Sequence, residues 1–534
     1  MAAADEPSFG RRWRAPRADR AFLADPPLAD AAGLVAANQA LREQWPQRTM
    51  PWGALARDAR QELLAAARAH SETYLDPADQ PLDGPLIIAG HQPGMFHPGV
   101  WCKNFLISAM ARALGGAAIN LVINTDTLKT PSLRVPSGGA DAPYWETLPF
   151  DETTEEMPFE ERRIVDRELF ESFGRSAQAA MSGVARETLL EKFWPQAVER
   201  GRATGNLGSA LAESRHRLER DWGLATWEIP WSDVLELPAT RRLTAMILSD
   251  GCRLRSHYNE AILAYRRVYR IRSRNHPAPL LELNADWCEA PYRVWRADVP
   301  RRQRLFVRHQ GDELQLTDRA RWSANLPAPR TPDDTRTAEA LGALARQGVK
   351  LRTRALATTL YARLLFADLF VHGIGGGLYD QVTDRWMWRA WGISPPSYLV
   401  ATATLYLPLQ GGDRATTTLP GRAAMRDLTY HPERFLGTDT LPSEAREALE
   451  LKRRWIATKQ TRENARERCR AIRQANEQLQ PYLGERRAQM ESEGEREGLR
   501  RRTELVARWR EYGFPLYKEE TLRKFLLEIP FHKV

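Results

Sequence analysis

The stretch from 85 to 126, PLIIAGHQPGMFHPGVWCKNFLISAMARALGGAAINLVINTD, constrains the fold more than any other part of the chain. Two short apolar runs bounded by Gly, Pro and Asn predict buried strands, and the amphipathic segment between them predicts a helix. A strand, a helical crossover and a second strand in one sheet run parallel with a right-handed connection. Both strands therefore end on the same rim. A second strand-turn-helix unit follows at LLFADLFVHGIGGGLYDQVTDRWMWRAW, with a further candidate strand in SYLVATATLYLPL. The predicted fold class is α/β with a parallel-sheet core.

At 534 residues the chain exceeds one compact core. Residues 1–85 read as a helical segment closed by the linker DPADQPLDGP, and 86–440 as the α/β core with inserted segments at about 131–350. Within the insertions, the Pro-, Gly- and acid-rich stretch 131–160 lies over the sheet, and YRVWRADVPRRQRLFVRHQGDELQLTD predicts a small antiparallel meander. Residues 441–512 are charged, and from Glu444 to Gln480 they lack Gly and Pro. A heptad frame there aligns Ala448, Leu451, Trp455, Ala465, Cys469, Ile472 and Leu479, and PYLG at 481–484 breaks it. This predicts a coiled-coil helical hairpin, antiparallel within the chain or pairing two chains as a homodimer. The remainder, 513–534, is a tail expected to pack on the core.

Composition excludes several classes. No apolar run reaches the roughly 20 residues a membrane helix needs, and the N-terminus lacks a secretory signal's apolar centre, so a cytoplasmic protein is expected. The four cysteines form no CxxC pair, which predicts reduced thiols rather than a disulfide framework or structural zinc. The net charge is +9, but 77 basic residues mix with 68 acidic ones, and residues 441–512 hold 18 basic against 13 acidic. The excess is a solvated helical surface, and no nucleic-acid partner is expected.

Ligands of open α/β sheets sit beyond the carboxyl ends of the strands. That rule gathers three polar turns: His91, Gln92, Gly94, His97 and Gly99 from the first; Asn124 and Asp126 from the second; His372, Gly373, Gly375 and Gly376 from the third. Glycines admit an anion to backbone N–H groups at a helix N-terminus, and histidines serve as proton donors or oxyanion partners near neutral pH. Lys103 and Asn104 follow in the first helix, and Tyr379 and Asp380 in the second. The catalytic candidates are His91, Gln92, His97 and Asp126. The binding candidates are Gly94, Gly99, Lys103, Asn104, Asn124, Arg354, His372, Gly373, Gly375, Gly376, Tyr379 and Asp380. No metal ligand set is expected. His257 and His276 read as ordinary polar histidines, and the tryptophans of RWMWRAW as helix packing. A P-loop, a GxGxxG fingerprint and the GxSxG of serine hydrolases are all missing.

These stretches resemble a known family. GHQPGMFHPGVWCKNFLISAMARAL, INLVINTD and LRTRALATTLYARLLFADLFVHGIGGGLYDQVTDRWMWRAWGISPPSYLV look like the marked regions of the cysteine ligases of bacillithiol biosynthesis, the BshC family, in the same order. The resemblance covers about 85–512, with the charged helices in the place of that family's coiled coil. It implies a Rossmann-like core related to class I nucleotidyltransferases, a reaction joining cysteine to the amino group of a glucosaminyl malate, ATP or ADP as the nucleotide, and magnesium as an open question. HPGV at 97–100 is similar to the first three places of HxGH, with Val100 in the fourth. Two departures stand out: Asp126 is the one carboxylate after the second strand, and HGIGGG carries an extra histidine without the usual following acid. The expected partners are a small amine and an amino acid. Two alternatives stay open: a non-catalytic nucleotide-binding scaffold that assembles through its coiled coil, and a nucleotidyltransferase.

Overall fold

Six strands form the centre of the molecule. They are β1 (Ala21–Asp25), β2 (Leu86–His91), β3 (Ala117–Val122), β4 (Thr226–Pro230), β5 (Leu369–His372) and β6 (Tyr398–Thr404), in the spatial order β1-β6-β5-β2-β3-β4. Of these, β2, β3, β5 and β6 lie where the sequence predicts and β1 and β4 do not. The last five are parallel, and β1 pairs antiparallel with the outer edge of β6. All six residues of β3 and all seven of β6 are buried, as expected of strands covered on both faces. The computed structural model describes residues 6–45, 50–185, 187–331, 334–409, 422–437 and 441–529. Parts of the expected core end, 410–421 and 438–440, and the last five residues of the expected tail, 530–534, lie outside the described residues.

In chain order the helices include α1 (Ala31–Glu43), α2 (Trp52–Glu72), α3 (Pro98–Ala113), α4 (Leu207–Asp221), α5 (Gly251–Tyr269), α6 (Ile374–Trp391), α7 (Ser443–Ala457), α8 (Ala465–Leu479), α9 (Gly484–Ala507) and α10 (Glu519–Glu528). The N-terminal segment is more than a helical preface, because β1 lies in the sheet and Trp52, Leu55 and Leu63 share its main core. Asp368, just before β5, locks the two parts together. It accepts the Leu86 N–H at 2.8 Å and pairs with Arg42 at 2.9 Å and Arg60 at 2.8 Å. The expected βαβ unit is present, with α3 as the crossover between β2 and β3.

The meander is larger than its sequence suggests. Five strands, 287–296, 299–310, 313–317, 323–327 and 349–353, together with the short strand 283–284 paired to the first of them, make a six-stranded antiparallel sheet. Stretch 132–149 folds as a separate hairpin rather than extending the main sheet. A disulfide joins Cys252 of α5 to Cys288 in the first of the five strands, with 5.3 Å between their α-carbons. This corrects the expectation of reduced thiols throughout: the two partners are brought together by packing of the helix on the sheet, which their 36-residue separation does not reveal. Cys102 is a buried free thiol and Cys469 an exposed one.

The charged C-terminal region also differs from expectation. The chain leaves helix between Ala457 and Ala465, where Asn464 Oδ1 accepts the Thr461 N–H at 2.8 Å, and α7 packs against α8. PYLG at 481–484 is only a short 3-10 connection between α8 and α9. Of the heptad stripe, Ala448 and Leu479 are buried while Cys469 is exposed, so one uninterrupted stripe does not exist. The tail does pack on the core, through Phe514, Leu516, Tyr517, Leu522, Phe525 and Leu526. Among the described residues, no helix is long and apolar enough to cross a membrane.

Candidate functional site

The parallel strands leave β2 in opposite directions: β3 and β4 lie on one side, β5 and β6 on the other. Such a reversal opens a crevice at the carboxyl ends of the two central strands. A cavity of about 590 Å³ lies there, walled by the ends of β2, β3 and β5 and the starts of α3 and α6. Arg293, Arg302, Thr353 and Arg354 from the antiparallel sheet close the opposite side, and Arg510 reaches in from beyond α9.

In the first turn, His91 Nδ1 lies 3.0 Å from the carbonyl oxygen of Gln92. A carbonyl only accepts, so Nδ1 carries the proton and Nε2 is left as an acceptor. Burial, with Lys103 nearby, lowers its pKa to about 3 and keeps the ring neutral. His97 caps α3 with its own ring: Nδ1 accepts the Gly99 N–H at 3.1 Å. Its proton is thereby placed on Nε2, 3.2 Å from Glu511 Oε2. Burial, Arg510 and Lys103 lower His97 to about 3 as well. Lys103 donates to the Gly90 carbonyl at 2.9 Å, and burial lowers its ammonium to about 8. Only glycine fits at position 99, because a Cβ there would collide with the Ala403 carbonyl oxygen of β6.

One expectation about this turn fails. Pro98 has no N–H, the Gly99 N–H is taken by His97, and the Val100 N–H bonds the His97 carbonyl at 2.9 Å. The first turn of α3 has little backbone to offer an anion, and Lys103 and Arg510 are the cationic side chains beside it on the cavity wall.

The third turn is built the other way. Gly373 caps α6 without a side chain, and Gly373, Ile374, Gly375 and Gly376 all line the cavity. His372 Nε2 lies 2.9 Å from Asp380 Oδ2, and Asp380 also accepts from Arg363 at 2.7 Å and Thr359 at 2.5 Å. Burial alone would raise the Asp380 pKa, but Arg363 and His372 hold its carboxyl well below the usual range. Burial keeps His372 below the ordinary histidine value despite this carboxylate. Tyr379 lines the cavity, its phenol raised to about 12 by burial.

Asp126, from the second turn, accepts from Gln92 Nε2 and pairs with Arg302 at 3.1 Å. Arg354 lines the cavity while donating to Glu289 at 2.8 Å. Thus His91, Gln92, His97, Gly99, Lys103, Asp126, Arg354, His372, Gly373, Gly375, Gly376 and Tyr379 share one cavity wall. Four binding candidates do not. Asn104 turns away to Glu219 at 2.8 Å, since one helical residue beyond Lys103 is about 100° around the axis. Asn124 caps the chain after β4, accepting the Ser232 N–H at 3.0 Å and donating to Ser232 Oγ at 2.8 Å. Asp380 is wholly buried behind His372, and Gly94 lies off the wall.

The residues that sequence reasoning missed are mostly cations. Arg293, Arg302 and Arg510 line the cavity, and Arg293 has no carboxylate within ion-pairing distance among the described residues. Burial and the neighbouring Arg354 and Arg302 lower Arg293 to about 10. Its one local signal is an arginine in the middle of the otherwise buried run CEAPYRVW. Lys103, Arg293, Arg302, Arg354 and Arg510 face Asp126, the one carboxylate on the wall among the described residues. The arrangement suits an anionic ligand held by side chains on one flank and by the open amides of α6 on another. The chain matches no family model and no curated protein.

Proposed function

We propose that the chain is a small-molecule ligase that joins the carboxyl group of an amino acid, cysteine in the family it resembles, to a primary amine. In this reading the core is Rossmann-like and its crevice holds ATP or ADP. The observation that carries it is the convergence of three strand-end turns and five cationic side chains on one cavity at the point where strand order reverses. The glycine turn at 373–376, Lys103 and Arg510 would hold the nucleotide's phosphates. When bound, the nucleotide supplies activation of the carboxyl group.

Arg293 and Arg354 orient the amino acid or amine through its anionic group, and Gln92 and Asp126 orient the attacking nitrogen. His91 Nε2, neutral and without a donor among the described residues, accepts the proton that nitrogen loses. His372 is fixed by Asp380 so that its Nδ1 remains the acceptor. Mass-spectrometric profiling of alkylated small thiols, in cells with and without the gene, tests the reading. Loss of one cysteine-containing thiol with accumulation of its amine precursor is the expected result; an unchanged thiol pool removes cysteine as the substrate.

One observation favours a second reading, a nucleotide-binding scaffold that assembles as a homodimer through α7 and α8. Both ring nitrogens of His97 already have partners, at Gly99 and Glu511. Purified protein that binds ATP or ADP and turns over no pair of amine and amino acid would select it.

A further inference from the structure

The segment after α9 travels back to the first turn and ends on it. The Phe514 N–H donates to the Phe96 carbonyl at 2.9 Å, and Tyr512, Phe514, Leu516 and Tyr517 are buried. Their anchoring fixes the backbone at 510 and 511. Arg510 then lies across the end of β6, donating to Thr402 Oγ1 at 2.5 Å, the Ala403 carbonyl at 3.0 Å and Thr404 Oγ1 at 3.0 Å. Thr402 Oγ1 in turn donates to the Gly99 carbonyl at 3.0 Å, which ties the guanidinium to the start of α3.

This places Arg510 and Lys103 together at the amino end of a helix, which already carries a partial positive charge. Their close oxygen partners are neutral. Both also bear on His97, whose pKa they lower. Among the described residues, the one carboxylate that bonds this group is Glu511. Its Oε2 meets His97 Nε2 at 3.2 Å and its Oε1 lies 3.4 Å from Arg510 Nη1. The two side chains on this strap contrast in exposure, 20% for Arg510 and 51% for Glu511. The cation is fixed in the wall, while the carboxylate stands half in water and can turn outward at little cost.

We propose that Glu511 is an intramolecular stand-in for a phosphate of the ligand: it holds Arg510 and the His97 Nε2–H, and a phosphate displaces it from both. Arg510 is then a binding residue of the cavity, supplied by the C-terminal strap, and Glu511 sets the threshold for phosphate entry. No bond is made or broken, and the exchange replaces one anion by another on the same donors. The inference rests on the proposed nucleotide-type ligand but concerns the strap alone.

Isothermal titration of the full chain with ATP and with inorganic pyrophosphate tests it, using wild type, Glu511→Gln and Arg510→Met. Removing the resident charge should tighten both ligands about fivefold, the scale of a half-exposed ion pair. Removing Arg510 should weaken both by about tenfold or more. A second variant, Glu511→Ala, should act as Glu511→Gln does, which guards against a new hydrogen bond from the amide. Unchanged or weaker binding by both Glu511 variants, with wild type binding ATP, overturns the stand-in role and leaves the nucleotide reading intact. Absence of binding by wild type and both Glu511 variants overturns the two together.

Discussion

The two His-Gly turns, 91–99 and 372–376, look alike in sequence and are built on opposite principles. In the first, His97 spends its own ring nitrogen on the backbone of α3, so the turn closes itself and presents side chains to the cavity. In the second, the histidine is held from behind by Asp380, the cap position is a glycine, and the start of α6 stays open to the cavity. The same residue types therefore deliver a side-chain face in one place and a backbone face in the other. What distinguishes them is a buried carboxylate eight residues downstream of the second histidine, which the first lacks.

That contrast is most strongly broken at Asp380. Asp380→Ala leaves the buried Arg363 guanidinium with Asp384 as its remaining carboxylate and takes the acceptor from His372, and should cost about 2–3 kcal/mol in urea unfolding. A loss below about 1 kcal/mol would mean that the second turn does not depend on its carboxylate.

Acid tests the first turn next. His91 and His97 have pKa values of about 3 in the folded protein against 6.5 ordinarily, so the unfolded chain takes up their protons first. Their contribution to stability is whole above pH 6.5 and declines as pH falls from 6.5 towards 3. Denaturant midpoints measured across that range should fall, and more steeply than in the double variant His91→Gln/His97→Gln. Equal slopes would show that neither ring is held neutral.

Lys103 sharpens the difference in anion holding. Lys103→Met should weaken pyrophosphate binding about tenfold without loss of thermal stability, because a buried ammonium with no carboxylate partner among the described residues is replaced by an apolar chain of similar length. In wild type the same affinity should drop as pH rises through about 8, where Lys103 loses its proton. A flat profile from pH 7 to 9 would remove Lys103 from the groups that hold the anion.

The smallest effect is expected at the cap itself. His97→Ala removes one side-chain acceptor from the start of α3 and should lower stability by about 1 kcal/mol, read from the thermal midpoint. A much larger loss would make His97 a core residue rather than a cap.

The chain's local sequence settled the parallel core and the rim on which its polar turns meet. Short apolar runs followed by Gly-rich turns and helices specify strand, crossover and direction through sterics and handedness, and His91, Gln92, His97, Asp126 and His372 reach the cavity because the turns after parallel strands open on that rim. Tertiary structure decided the rest. Asn104 and Asn124 carry plausible chemistry in sequence, yet helix rotation and a local cap turn them away. The Cys252–Cys288 bond, the break between α7 and α8, and the arginines at 293, 302 and 510 have little or no signature in the residues around them. Their placement comes from packing between segments up to hundreds of positions apart, and the charge of the cavity exists only once those segments have met.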